Sequence, residues 1–100
     1  FQERRDFVVN SLNNINGLNC LTPNGAFYVF PSCKGLLNKK TKIKSDTEFV
    51  QKLLEESMVA VVQGSAFGLE GYFRISYATS MENLKKAVNR IKDFCDNLNN

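Results

Sequence analysis

Val59-Ala-Val-Val-Gln-Gly-Ser-Ala-Phe-Gly-Leu-Glu-Gly-Tyr-Phe-Arg-Ile-Ser-Tyr-Ala-Thr79 is the stretch that decides the fold. Val59 to Val62 is a short apolar run bounded by turn residues, the pattern of a buried strand. Tyr72 to Ala78 alternates, so Phe73, Ile75 and Tyr77 share one face, while Tyr72, Arg74, Ser76 and Ala78 share the other. The first face can pack on helices. The second sets a guanidinium among small or hydroxylated neighbours in mid-strand, either as an edge arginine in water or as a binding group. Two strands this close in sequence pair most simply as antiparallel neighbours. The loop between them, Gln63 to Gly71, carries Gly64, Gly68 and Gly71, which permit tight turns and close backbone approach. That spacing matches neither the dinucleotide fingerprint nor the P-loop, so the loop reads as a hinge-like connection.

A helix is predicted on each side of this stretch. Upstream, Ser45-Asp-Thr-Glu48 is a capping box, and the helix that follows to about Ser57 sets Phe49, Val50, Leu53 and Leu54 on one face. Downstream, Thr79-Ser-Met-Glu82 is a second capping signature. Leu84, Ala87, Val88, Ile91, Cys95 and Leu98 then form an unbroken stripe, with Phe94 beside it. Cys95 falls on the packed side of that stripe and reads as an inert thiol.

Further out, Ala26 to Phe30 reads as a strand ended by Pro31, apolar on both faces and so suited to a central, covered position. Phe27 and Phe30 are core residues in that reading. Pro23-Asn-Gly25 is a turn signal ahead of it. Ser32 to Lys44 carries Lys34, Lys39, Lys40, Lys42 and Lys44 without interleaved aromatics, and reads as a solvated loop. Phe1 to Ile15 is a helix with Phe1, Val8, Leu12 and Ile15 on its apolar stripe, Val9 beside it, and a stop at Asn16-Gly17. No N-cap precedes it, and we expect an upstream part of a longer helix. The order helix–strand–helix–strand–strand–helix gives an α+β fold. It is a small two-layer domain, a short, mainly antiparallel sheet with helices on one face and the Arg74 face left for something else to cover.

Composition narrows the function. One hundred residues make one domain. A net charge of +3 is mild and unclustered for a nucleic-acid binder of this size. No apolar run reaches transmembrane length, and the charged N-terminal stretch does not resemble a signal peptide. Three cysteines without C-x-x-C spacing point to reduced thiols and a cytoplasmic setting, away from a disulfide framework or a zinc site. The sequence has no histidine, so the commonest general base and metal ligand is lacking.

Three motifs in order, Gly25-Ala-Phe-Tyr-Val-Phe-Pro31, Val59 to Gly68 and Gly71-Tyr-Phe-Arg-Ile-Ser-Tyr-Ala-Thr-Ser80, resemble the C-terminal portion of the class I pyridoxal-phosphate aminotransferases. The likeness is closest to the bacterial aspartate or aspartate/prephenate enzymes, and runs collinearly over nearly all the chain. The family has Pro where this chain has Gln63. The resemblance implies that residues 1–100 are the small domain, with 1–16 the remainder of the interdomain helix, and that the large cofactor-binding domain lies outside this chain. It implies that Arg74 binds the substrate α-carboxylate and that the Phe27 position lies near the substrate. It further implies that the parent, a homodimer, exchanges an amino group between aspartate or glutamate and 2-oxo acids. The Schiff-base lysine and the other pyridoxal 5'-phosphate contacts would sit upstream, leaving no catalytic residue here.

Two other readings stand beside it. A stand-alone regulatory domain could bind an amino acid through the same Arg74. An RNA-binding sheet is echoed by Gly71-Tyr-Phe-Arg-Ile-Ser-Tyr77, but Phe73 stands where that pattern wants Gly or Ala, and Arg74 where it wants a stacking aromatic.

Overall fold

A computed structural model of the chain describes residues 2–21 and 27–99. Its elements are α1 (Gln2–Asn13), β1 (Tyr28–Val29), α2 (Asp46–Ser57), β2 (Val62–Gln63), β3 (Phe73–Ser76) and α3 (Met81–Asn99), with short 3-10 turns at Lys34–Leu36 and Gly64–Phe67. This is the α+β order that the periodicities predict. The Pro23–Gly25 turn and Phe1 lie outside the described residues.

The sheet has the order β1-β3-β2 with both pairings antiparallel. β3 is therefore the central strand. Its alternation sends Phe73 and Ile75 inward, where Tyr77 joins them, and leaves Arg74 part-exposed on the other face. The helices fill the inward side. Phe49 of α2 meets Phe73 at 5.3 Å and Phe94 of α3 edge-on at 5.6 Å, so one ring joins two helices to the central strand. Val8, Leu12 and Ile15 from α1 and its exit, and Leu84, Ile91 and Cys95 from α3, complete the core.

Four expectations need correction. β1 is an edge strand, not a covered one: Tyr28 is 40% exposed and Phe27, just before it, 51%, while among the described residues of that run only Val29 is buried on the helical side. Phe27 is thus no core residue, and Phe30 is half-buried. Leu54 is 48% exposed, because the inward stripe of α2 is as narrow as Phe49, Val50 and Leu53. The run Val59–Val62 pairs only at its end. Val59 is buried, but the ladder begins at Val62 opposite Arg74 and extends through Gln63 opposite Phe73. The basic segment is a loop as expected, yet it is anchored by Cys33, Leu36 and Ile43, all buried.

The helix ends obey local chemistry. The Ser45 hydroxyl accepts the Glu48 N–H at 3.2 Å and Ser80 accepts the Asn83 N–H at 3.1 Å, each satisfying a donor of a first turn. α1 stops at Asn13, whose side-chain amide exchanges two 2.7 Å hydrogen bonds with the backbone of Cys20. Asn13 thereby ties the helix exit to the segment that pairs, at Asn19, with Ser32.

Candidate functional site

Arg74 sits at the centre of the open face of the sheet. The β1–β3 register, Tyr28 opposite Ser76 and Val29 opposite Ile75, puts Tyr28 on that face, one diagonal step from Arg74. The loop after β2 reaches in from the other side of β3. Its 3-10 turn carries Phe67, which meets Phe30 edge-on at 5.8 Å. The guanidinium carbon of Arg74 lies 4.3 Å from the centre of the Tyr28 ring and 4.7 Å from that of Phe67. Rings against the faces of a guanidinium attract its charge through their quadrupoles and keep water off it. They leave its N–H groups, which lie in its plane, available to an acceptor.

No acceptor comes from the described residues. Among the described residues the ion pairs are Arg5–Asp6, Lys86–Glu82 and Lys92–Asp96, and neither these nor any hydrogen bond takes up the Arg74 side chain. A part-buried guanidinium flanked by two rings, and given no acid by the described residues, can take a planar, two-oxygen anion edge-on. A second cation stacks nearby, with Lys34 Nζ 5.0 Å from the centre of the Tyr72 ring.

The loop that carries Phe67 is itself fixed. Asp46, the first residue of α2, is 3% exposed. One carboxylate oxygen accepts the Ser65 N–H at 2.8 Å and the other the Gly71 N–H at 3.3 Å. Burial pushes its pKa up, but the hydrogen bonds from Ser65 and Gly71 outweigh that and hold the carboxyl below its ordinary value. Gly64 supplies close approach: its N–H donates to the Tyr72 carbonyl at 2.7 Å, and a Cβ there would meet the Leu69 carbonyl oxygen. Gly71 adopts φ +85, which favours glycine.

Sequence reasoning singled out Arg74 and Phe27. It missed Tyr28, Phe67 and Asp46. By alternation along β1, Tyr28, not Phe27, shares the face of Arg74. The parity of Tyr28 and Phe30 carried that signal, but became readable only with the register to β3. Asp46 stands out in the sequence only as part of the Ser45–Glu48 capping box.

Every lysine is exposed or partly so, and both oxygens of the buried carboxylate Asp46 are committed to backbone. No group of His, Cys, Asp or Glu among them could hold a metal ion.

Comparison with known proteins adds the following. The sequence model of the family "Aminotransferase class I and II" matches residues 1–91. The aspartate aminotransferase of Rhizobium meliloti (strain 1021) is 58% identical over 98% of this chain and 25% of its own length. A probable aspartate/prephenate aminotransferase of Rhizobium leguminosarum bv. phaseoli is 56% identical over 95% of this chain and 25% of its own. The crystal structure of the R. meliloti aspartate aminotransferase superposes with a TM-score of 0.91 at 57% identity, over 95% of this chain and 25% of that one. An alanine aminotransferase from Pyrococcus furiosus gives 0.87 at 36% identity, over 96% of this chain and 24% of that one. The chain spans about a quarter of the length of these relatives.

Proposed function

Because this chain belongs to the class I and II aminotransferase family, we propose that it is the C-terminal, substrate-closing part of an aspartate aminotransferase, with Arg74 binding the substrate α-carboxylate. The observation that carries this is the Arg74 guanidinium, flanked by Tyr28 and Phe67 and given no acid partner by the described residues. The whole enzyme exchanges an amino group between aspartate or glutamate and 2-oxo acids in the cytoplasm, as a homodimer. Pyridoxal 5'-phosphate and the lysine that bonds it belong to a large domain outside this chain, so residues 1–100 alone are inactive. Residues 1–16 carry the remainder of the interdomain helix, which ends at Asn13, and Phe27 lies near the substrate. A regulatory amino-acid-binding domain would use the same arginine; a likeness that covers 98% of this chain and a quarter of an aspartate aminotransferase favours the enzyme.

The test is Arg74→Lys in the full-length protein. Arginine offers two parallel N–H donors matched to a carboxylate's two oxygens, and lysine keeps the charge but loses the fork. A charge-assisted hydrogen bond is worth about 1.5–3 kcal/mol. The fork also sets the rotation of the substrate, so rate should fall with affinity. We expect kcat/KM for aspartate to drop at least roughly tenfold, with the cofactor still bound by its absorbance. A loss within about threefold would mean that Arg74 is a solvated strand arginine.

A further inference from the structure

We infer that Asp46 is a positioning residue of the Arg74 site, acting through the loop that carries Phe67; this deepens the proposed carboxylate clamp and rests on it. Asp46 is the only buried charged residue among those described. Its two oxygens reach Ser65 and Gly71, so a single carboxylate from the start of α2 closes both ends of the segment containing Phe67. Thr47 adds a 3.3 Å hydroxyl contact to Ser65 from the same helical turn. Within the segment, Leu69 N–H donates to Gly64 and Gly68 N–H to Ser65, which makes it one compact unit.

Apart from the Asp46 bonds, Gly64 N–H donates to the Tyr72 carbonyl and Tyr72 N–H to that of Leu69, the Gly71 carbonyl accepts from Cys33 N–H at 2.8 Å and from its thiol at 3.4 Å, and Phe67 meets Phe30 edge-on. Phe67 itself is 47% exposed, so its own burial does little to fix it. Its place beside the guanidinium, 4.7 Å away, follows from where the backbone is held. Of these ties the Asp46 bonds are the charge-assisted ones, and so the ones most costly to break. Loss of either bond frees Phe67, opens one face of Arg74 to water, and loosens the plane in which a substrate carboxylate must lie.

The experiment is a double-mutant cycle in the full-length enzyme, reading kcat/KM for aspartate, with Arg74→Lys measured alongside. Asp46→Asn keeps one acceptor and turns an amide N–H toward the other backbone donor. In the parent it should lower kcat/KM roughly tenfold, mainly through KM, with the cofactor spectrum unchanged. In a Phe67→Ala background the same change should cost less than about twofold, because the ring it positions is already gone. Equal losses in the two backgrounds overturn the inference and make Asp46 a fold-stabilising residue only. Should the Asn variant not fold, Asp46→Glu keeps charge and both acceptors but displaces them by a methylene, and the same cycle decides. An Arg74→Lys effect below threefold identifies failure of the clamp itself; a large Arg74→Lys effect with additive Asp46 losses identifies failure of this inference alone.

Discussion

Arg74 owes its character to what surrounds it, and so do the three thiols. Cys33 and Cys95 are fully buried and Cys20 nearly so. Burial pushes Cys33 and Cys95 up to about 12, aided by the charge of Asp46 at Cys33 and of Asp96 at Cys95, and Cys20 up to about 11 by burial alone. A raised thiol pKa means that the folded state holds the proton more tightly than the unfolded one. The stability it contributes is therefore whole below the ordinary value near 9 and is lost as pH rises from there towards 11 and 12. Thiolate is the reactive form, so none of the three should be modified at pH 8 in the native full-length protein, while all three should react in denaturant. Peptide mapping after alkylation checks this; rapid native labelling of Cys95 would contradict its place in the α3 stripe. The position of Cys95 was legible from helical spacing, and that of Arg74 from strand alternation. The partners of Arg74 were not. Stacking by Tyr28 depends on the β1–β3 register, and stacking by Phe67 on a turn held by Asp46, and neither relation is local in sequence.

At the scale of elements, capping and periodicity spoke plainly and pairing spoke poorly. Ser45 and Ser80 cap the helices expected of them because a cap is a contact over three residues. β1 looked central because Ala26 to Phe30 is apolar throughout, yet in this order it is an edge. Gln63 shows how far the local frame can be trusted. Its φ of −63 is the value that a proline ring imposes. It faces Phe73 in a ladder whose neighbouring pair, Gly64 with Tyr72, holds the inter-strand bond, so its N–H points out of the ladder. Val62 before it is in extended strand, as a following proline requires. Gln63→Pro, which restores the family residue, should therefore stabilise by about 0.4–1 kcal/mol by restricting the unfolded chain. Urea unfolding should show a higher midpoint with an unchanged slope; a lower midpoint would mean that the Gln63 N–H does structural service.

Across the whole molecule the two faces of the sheet are unequal. One lies on α1, α2 and α3 and holds the core; the other presents Tyr28, Phe30, Phe67, Tyr72 and Arg74. Phe27, at 51% exposure, and Leu69, at 39%, add apolar area near it, and β1 and β2 are only two residues long, which leaves little ladder to shield the edges. Apolar surface clustered on one side of a chain this size is surface made to be covered. The relatives are about four times longer than this chain; in the proposed enzyme the large domain would be that cover, and closing it over Arg74 would bring a bound carboxylate out of water. The isolated chain has to manage without that cover. It should bind an apolar dye more strongly than a finished domain does, and should associate reversibly as its concentration rises. Association driven by this face, and not by general misfolding, should fall when Phe67 and Tyr28 are replaced together by serine, with helical circular dichroism retained. Sedimentation of a clean monomer without dye binding would show that the open face needs no partner, and would return weight to a self-sufficient amino-acid-binding domain.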